Sequence, residues 1–263
     1  MTRHPQGYAA PIHAEEAGDP QHPLIALVHG AMDRSAGMLR LSRRLDHDLR
    51  VLRYDRRGYG RSVPHPGPFD MAAQVGDLVA LLAGRPAVVI GHSYGGNVAL
   101  AAAARHPELV RGVAIYETPL SWEPWWSGAS TGALAVERAT DPAEAAEDFM
   151  RRVIGDERWE GLPERTRAIR RTEGLAMVSE LADLRSQRPW DPGEINVPVW
   201  LGYGSDALPQ HRRGMPYAAS LIAGAHLVEL EGCGHMAPNT HPEMFRHLLV
   251  DPLLDELGLL RVG

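Results

Sequence analysis

Seven residues, Ile90-Gly91-His92-Ser93-Tyr94-Gly95-Gly96, constrain this chain more than any others. An apolar run, residues 87–90, enters them, and an Ala-rich helical stretch, 97–105, leaves them. That is a strand, a very tight turn and a helix, with Ser93 at the apex. Gly91 and Gly95 flank the serine in a G-x-S-x-G pattern. The demand is steric, because so sharp a turn needs neighbours without a Cβ. The exposed hydroxyl then stands at a helix N-terminus, where unpaired N–H groups and the helix dipole favour a developing negative charge. Ser93 is therefore a candidate nucleophile, and it needs a base, an acid and oxyanion donors from elsewhere in the chain.

The flanking sequence repeats the strand–helix alternation. Residues 7–18 read as one or two edge strands, ending at a Gly18-Asp19-Pro20 turn. Leu24–Val28 and Arg50–Tyr54 are short apolar runs of the kind buried on both sheet faces. A helix with Ser35 as its cap is expected up to Leu45, and another over 70–82. Residues 112–117, 198–203 and 226–230 read as further strands, with helices over 212–222 and 242–257. Strands alternating with helices at this spacing imply parallel crossovers in an open α/β sheet. The pattern lapses over 118–196, which carries helical patterns at 131–138, 142–154 (capped by Asp141) and 163–184. Five of the six tryptophans lie there. The expected organisation is a core of 1–117 and 197–263, with a helical cap, 118–196, inserted between two strands.

Composition narrows the partners. A length of 263 residues suits one large domain. A net charge of −6 without long basic runs argues against nucleic acid. A single cysteine, Cys233, excludes an intrachain disulfide and fits a reducing compartment. The N-terminus shows no apolar signal segment, and no stretch reaches the length of a membrane span. A cytoplasmic protein with a small-molecule substrate is expected, with no nucleic acid or membrane as partner. The histidines show no metal-ligand spacing, and there is neither a P-loop nor a dinucleotide fingerprint, so no metal and no cofactor are expected.

In open α/β sheets, sites form beyond the carboxyl ends of the strands. Among thirteen histidines this leaves His29, His92 and His235. Alternation around the turn points His92 away from the serine. His235, in a Gly-flanked loop after the last strand, is the candidate base. Two acids compete. Asp206 follows the strand at 198–203 and gives the chain order Ser, Asp, His. Glu117 ends the strand after the Ser93 helix. Asp206 is the first choice and Glu117 the rival. For the oxyanion, Tyr94 supplies one backbone N–H. The other comes from the loop after Leu24–Val28, with Ala31 preferred and Met32 as fallback.

Four pieces, in order, are similar to the α/β-hydrolase superfamily: Leu27-Val28-His29-Gly30, Asp55-Arg56-Arg57-Gly58-Tyr59-Gly60-Arg61-Ser62, Gly91-His92-Ser93-Tyr94-Gly95-Gly96, and Gly232-Cys233-Gly234-His235. They spread over nearly the whole chain. The resemblance implies a mostly parallel eight-stranded sheet flanked by helices, a Ser-acid-His triad, no cofactor, and a cap that shapes the pocket. It implies a structural role for the Asp-Arg-Arg-Gly loop. Serine rather than aspartate at the turn sets the chain apart from the epoxide-hydrolase and dehalogenase branches and points to acyl transfer. Trp122, Trp125 and Trp126, directly after Glu117, are expected near the pocket entrance, with His29 beside the substrate. The expected activity is cleavage of a small, fairly apolar carboxylic ester. The same triad also serves lactones, thioesters, amides or a C–C bond beside a ketone. A non-catalytic binding protein on this scaffold is the alternative from another class.

Overall fold

Seven runs pair into one sheet: Ala14–Ala17 (β1), Leu24–Val28 (β2), Arg50–Tyr54 (β3), Ala87–His92 (β4), Val110–Tyr116 (β5), Val199–Gly204 (β6) and His226–Leu230 (β7). The computed structural model describes residues 11–126, 128–137 and 140–260. Strand order is β1-β3-β2-β4-β5-β6-β7, with β1 antiparallel and the other pairings parallel. Every residue of β2 and β4 is buried, as strands covered on both faces require. The described residues thus hold seven strands where eight were expected. Of the edge stretch 7–18 only β1 is seen, and residues 7–10 lie outside the described part.

Helices Leu39–Leu45 (α1), Met71–Leu82 (α2) and Tyr94–Arg105 (α3) connect the first strands. One apolar cluster joins α2 and α3 to one sheet face through residues such as Leu78 and Val98. A second joins α1 to the other face, where Leu41 and Leu45 meet Phe245 and Leu253. Asp70 caps α2, accepting from the Ala73 N–H at 2.8 Å. Ser35 does not cap α1. Its N–H donates to Asp55 Oδ1 at 2.7 Å, and it opens a 3₁₀ turn, Ser35–Met38, that precedes the helix. Chain order reverses between β2 and β4, so a crevice forms beyond their carboxyl ends.

Among the described residues, five α-helices separate β5 from β6: Thr131–Glu137 (α4), Pro142–Ile154 (α5), Asp156–Glu160 (α6), Glu164–Thr172 (α7) and Gly174–Ser186 (α8). The continuous helix expected over 163–184 is broken at Glu173. That side chain is fully buried and turned towards the core, where it accepts from Arg34 at 2.7 Å and from the Gly60 N–H at 2.9 Å. Gly174 then lets α8 press on the start of α5, since a Cβ there would lie 1.9 Å from the Pro142 carbonyl oxygen. Asp141 caps α5 as expected, at 2.8 Å from the Ala143 N–H.

Pro209–Leu221 (α9) joins β6 to β7. The closing helix expected at 242–257 is interrupted. Short helices Ala237–Thr240 (α10) and Pro242–Phe245 (α11) lead into a π turn, Arg246–Val250, and then Asp251–Glu256 (α12). Pro252 has no N–H to donate one turn back, which suits a widened turn there. No helix among the described residues is long and apolar enough to cross a membrane.

Candidate active site

Ser93 sits between β4 and α3 with φ +54° and ψ −125°. Non-glycine residues rarely hold such a backbone unless their surroundings enforce it, and here the packing does so. A Cβ on Gly95 would stand 2.2 Å from the Val28 carbonyl oxygen, and one on Gly91 2.5 Å from the Gly95 oxygen. The Ser93 N–H donates to the Tyr116 carbonyl at 2.9 Å, which fixes the turn against the end of β5.

Glu117 follows β5 directly and also has positive φ, +45°. Its N–H donates to the Gly202 carbonyl at 3.0 Å, and its carboxylate is fully buried. One carboxylate oxygen accepts from the Gly204 N–H at 3.1 Å, and the other from His235 Nδ1–H at 2.7 Å. Burial opposes the carboxylate charge, but the hydrogen bond and charge of His235 outweigh it, and the Glu117 pKa is held below its ordinary value. The loop carrying His235 is tied down at three further points. His92 Nε2–H donates to the His235 carbonyl at 2.8 Å, Tyr116 O–H to the Gly234 carbonyl at 3.0 Å, and the Asp206 N–H to the Cys233 carbonyl at 3.0 Å. A Cβ on Gly204 would lie 1.8 Å from that Cys233 oxygen, so strand and loop touch backbone to backbone.

The structure does not bring the first-choice acid to His235. Asp206 is exposed, accepts only from the neighbouring Ser205 hydroxyl, and makes no hydrogen bond with His235. The carboxylate that reaches the imidazole is Glu117. His92 does point away from the cavity, yet it braces the base loop. Burial, with His235 nearby, pushes its pKa down to about 3, so it stays neutral and donates from Nε2.

Nor does the structure place His29 against the cavity. It is fully buried and stands outside the cavity lining. Its Nδ1–H donates to the Gly30 carbonyl at 2.7 Å, and its Nε2 accepts the Arg56 N–H at 2.9 Å. Burial, with Arg56 adding to it, keeps its pKa well below the ordinary value. Arg56 in turn donates to the His29 and Gly30 carbonyls at 2.9 and 3.1 Å and forms a fully buried pair with Glu180 of α8 at 2.6 Å. These bonds shape the loop that carries Ala31. Ala31 and Tyr94 line the cavity beside Ser93. The Tyr94 N–H is the first of α3 and has no acceptor within the helix. Met32 points into the core at φ +55°, and its carbonyl accepts from Arg170 at 2.8 Å.

The cavity that Ser93 and His235 share has a volume of about 340 Å³. Of the three tryptophans, Trp126 lines it. Trp122 packs edge-on against Trp190, and Trp125 against Tyr217 beneath Arg213. Sequence reasoning missed His211 of α9. It is buried, lines the cavity, packs edge-on to Trp126 and stacks on His235 with ring centroids 5.2 Å apart. Burial, together with His235, pushes its pKa down to about 3. No local motif marks it. Ligand atoms of Glu117, His211 and His235 lie within 4.8 Å of one another. Within that group Glu117 and His235 are already hydrogen-bonded to each other, and the two imidazole rings stack at an interplanar angle of 29°.

Comparison with known proteins agrees with this architecture. Residues 25–248 match the family described as "Alpha/beta hydrolase family". A pimeloyl-[acyl-carrier protein] methyl ester esterase of Neisseria meningitidis is 30% identical over 256 residues, covering 88% of this chain and 78% of that protein. A 2-(acetamidomethylene)succinate hydrolase of Mesorhizobium japonicum is 38% identical over 101 residues, 37% of this chain and only 36% of that protein. The crystal structure of the enol-lactonase from Burkholderia xenovorans LB400 superposes with a TM-score of 0.69 at 26% identity, covering 94% of this chain and 96% of that one. The chain belongs to the alpha/beta hydrolase family.

Proposed function

We propose that the chain is a cofactor-independent serine hydrolase that cleaves a carboxylic ester through an acyl-enzyme. The observation that carries this reading is the buried Glu117 carboxylate, 2.7 Å from His235 Nδ1, in a cavity that also exposes Ser93 on a strained turn. With Nδ1–H bonded to Glu117, His235 keeps Nε2 free as a base. Nε2 takes the Ser93 proton as Oγ attacks the ester carbonyl. The oxyanion is held by the Ala31 and Tyr94 N–H groups. His235 returns the proton to the leaving alcohol, and water then releases the acyl group by the same route. Ser93 Oγ makes no hydrogen bond among the described residues; such contacts commonly tighten only when substrate is bound. Residues 118–196 form the roof over this site, with Trp126 and Leu181 offering apolar surface to the substrate.

The relatives support hydrolysis at a carbonyl centre. One is named as a methyl ester esterase and a structural neighbour as an enol-lactonase. A lactone is the second reading, favoured by that neighbour's coverage of nearly the whole chain. Ser93→Ala is expected to abolish turnover of short p-nitrophenyl esters and labelling by a fluorophosphonate. Undiminished labelling of that variant overturns the assignment. A panel of linear and cyclic esters separates the two readings.

A further inference from the structure

Resting on the hydrolase reading, we infer that the cavity takes an acyl chain whose far end carries a carboxylate, and that Arg152 recognises it. Phe149, Arg152 and Val153 of α5 all line the cavity. Their spacing, i, i+3 and i+4, places them on one helix face. Arg151 points elsewhere and pairs with Glu147 at 2.7 Å and Asp156 at 3.1 Å. Arg152 forms no ion pair or hydrogen bond with any described residue, Asp148 one turn earlier included. Among the described residues it is also the only arginine or lysine of the lining, and no acidic side chain lines it. The other histidine there beside His235, His211, is held neutral by burial and by His235.

Ser93 and Arg152 line the same cavity, whose larger apolar side chains include Trp126, Phe149 and Leu181. Val153 and Leu208, also in the lining, are 45% and 56% exposed. Large apolar side chains left this open beside a lone, unpaired guanidinium describe a slot for methylenes that ends in an anion. One positive charge matches a monoanion. A phosphate dianion would keep an unneutralised charge against an apolar rim. The acyl carbonyl reacts at Ser93, and the distal carboxylate reaches Arg152.

The test compares monomethyl adipate with methyl hexanoate, two methyl esters that differ at the far end. Wild type is expected to favour the carboxylate-ended ester in kcat/KM by about five- to tenfold, a charge-assisted contact discounted for exposure. Arg152→Gln should remove that preference while keeping turnover of methyl hexanoate. Arg152→Glu should turn the preference towards methyl 6-aminohexanoate. High salt should compress the wild-type ratio. Cleavage of both esters at equal efficiency by wild type, or a preference that survives in Arg152→Gln, overturns the carboxylate assignment alone. Cleavage of neither by wild type, without fluorophosphonate labelling, overturns the hydrolase reading and this one with it.

Discussion

Glu117 holds a left-handed backbone at φ +45°, a conformation that costs a residue with a Cβ roughly 1 kcal/mol or more. Its bonds to Gly202, Gly204 and His235 offset that cost and aim the carboxylate at the imidazole. Glu117→Gln is therefore expected to lower kcat by roughly 10³–10⁴-fold, as loss of a triad acid does. Asp206→Asn should stay within about twofold of wild type, as exposed substitutions usually do. Steady-state kinetics on one ester decides, and a large loss confined to Asp206→Asn would reverse the assignment. The sequence marks Ser93 and His235 through local glycine patterns, because their placement is a matter of turn geometry. It leaves the acid open because Asp206 and Glu117 end adjacent strands. What selects between them is the path of the 231–235 loop, pinned by Tyr116, His92 and Gly204, residues far apart in the chain. His211 is invisible for the same reason, since only the packing of α9 brings it to His235.

At the scale of elements, α8 and the Arg56 loop are joined by a charge pair with no exposure on either side. Glu180 also accepts from the Tyr59 hydroxyl at 2.6 Å and the Gln74 amide at 3.3 Å. Removing one member of a buried pair strands the other. Glu180→Ala is expected to cost about 3–5 kcal/mol of stability, read as a fall in the urea midpoint. Arg56 also grips the His29 and Gly30 carbonyls, so kcat should fall further than KM rises. A Glu180→Ala variant of wild-type stability and kcat would show that the pair does neither job. Helix periodicity made most of the helical segments legible in sequence. It could not show the break at Glu173, where a polar residue turns inward to satisfy Arg34 and Gly60. Nor could it show that Trp122 and Trp125 pack against neighbours rather than the cavity.

For the molecule as a whole, three neutral buried histidines set the response to acid. His92 and His211 are pushed from 6.5 down to about 3 by burial and by His235, and His29 lies well below 6.5 through burial and Arg56. The unfolded chain takes up these protons near pH 6.5 while the folded chain refuses them. Stability is thus unaffected above that pH and declines below it, by about 1.4 kcal/mol per histidine for each pH unit at most. Urea titrations between pH 7 and 4 should show this slope, reduced by about one proton in His211→Phe; an unchanged slope in that variant refutes the burial argument. The position of Glu117, one residue before the helical insertion, has a different consequence. In the proposed mechanism, nucleophile and acid both come from the β4–α3–β5 unit, at Ser93 and Glu117, and the base comes from the loop after β7. On that proposal, residues 118–196 supply none of the reacting groups and could be exchanged without touching them. Exchange carries conditions of charge and hydrogen bonding: a transplanted segment must bring carboxylates to the places of Glu173 and Glu180, or the recipient must give up Arg34 and Arg56, and Asn97 and the Met71 N–H must find partners in place of Trp190 and Asp183.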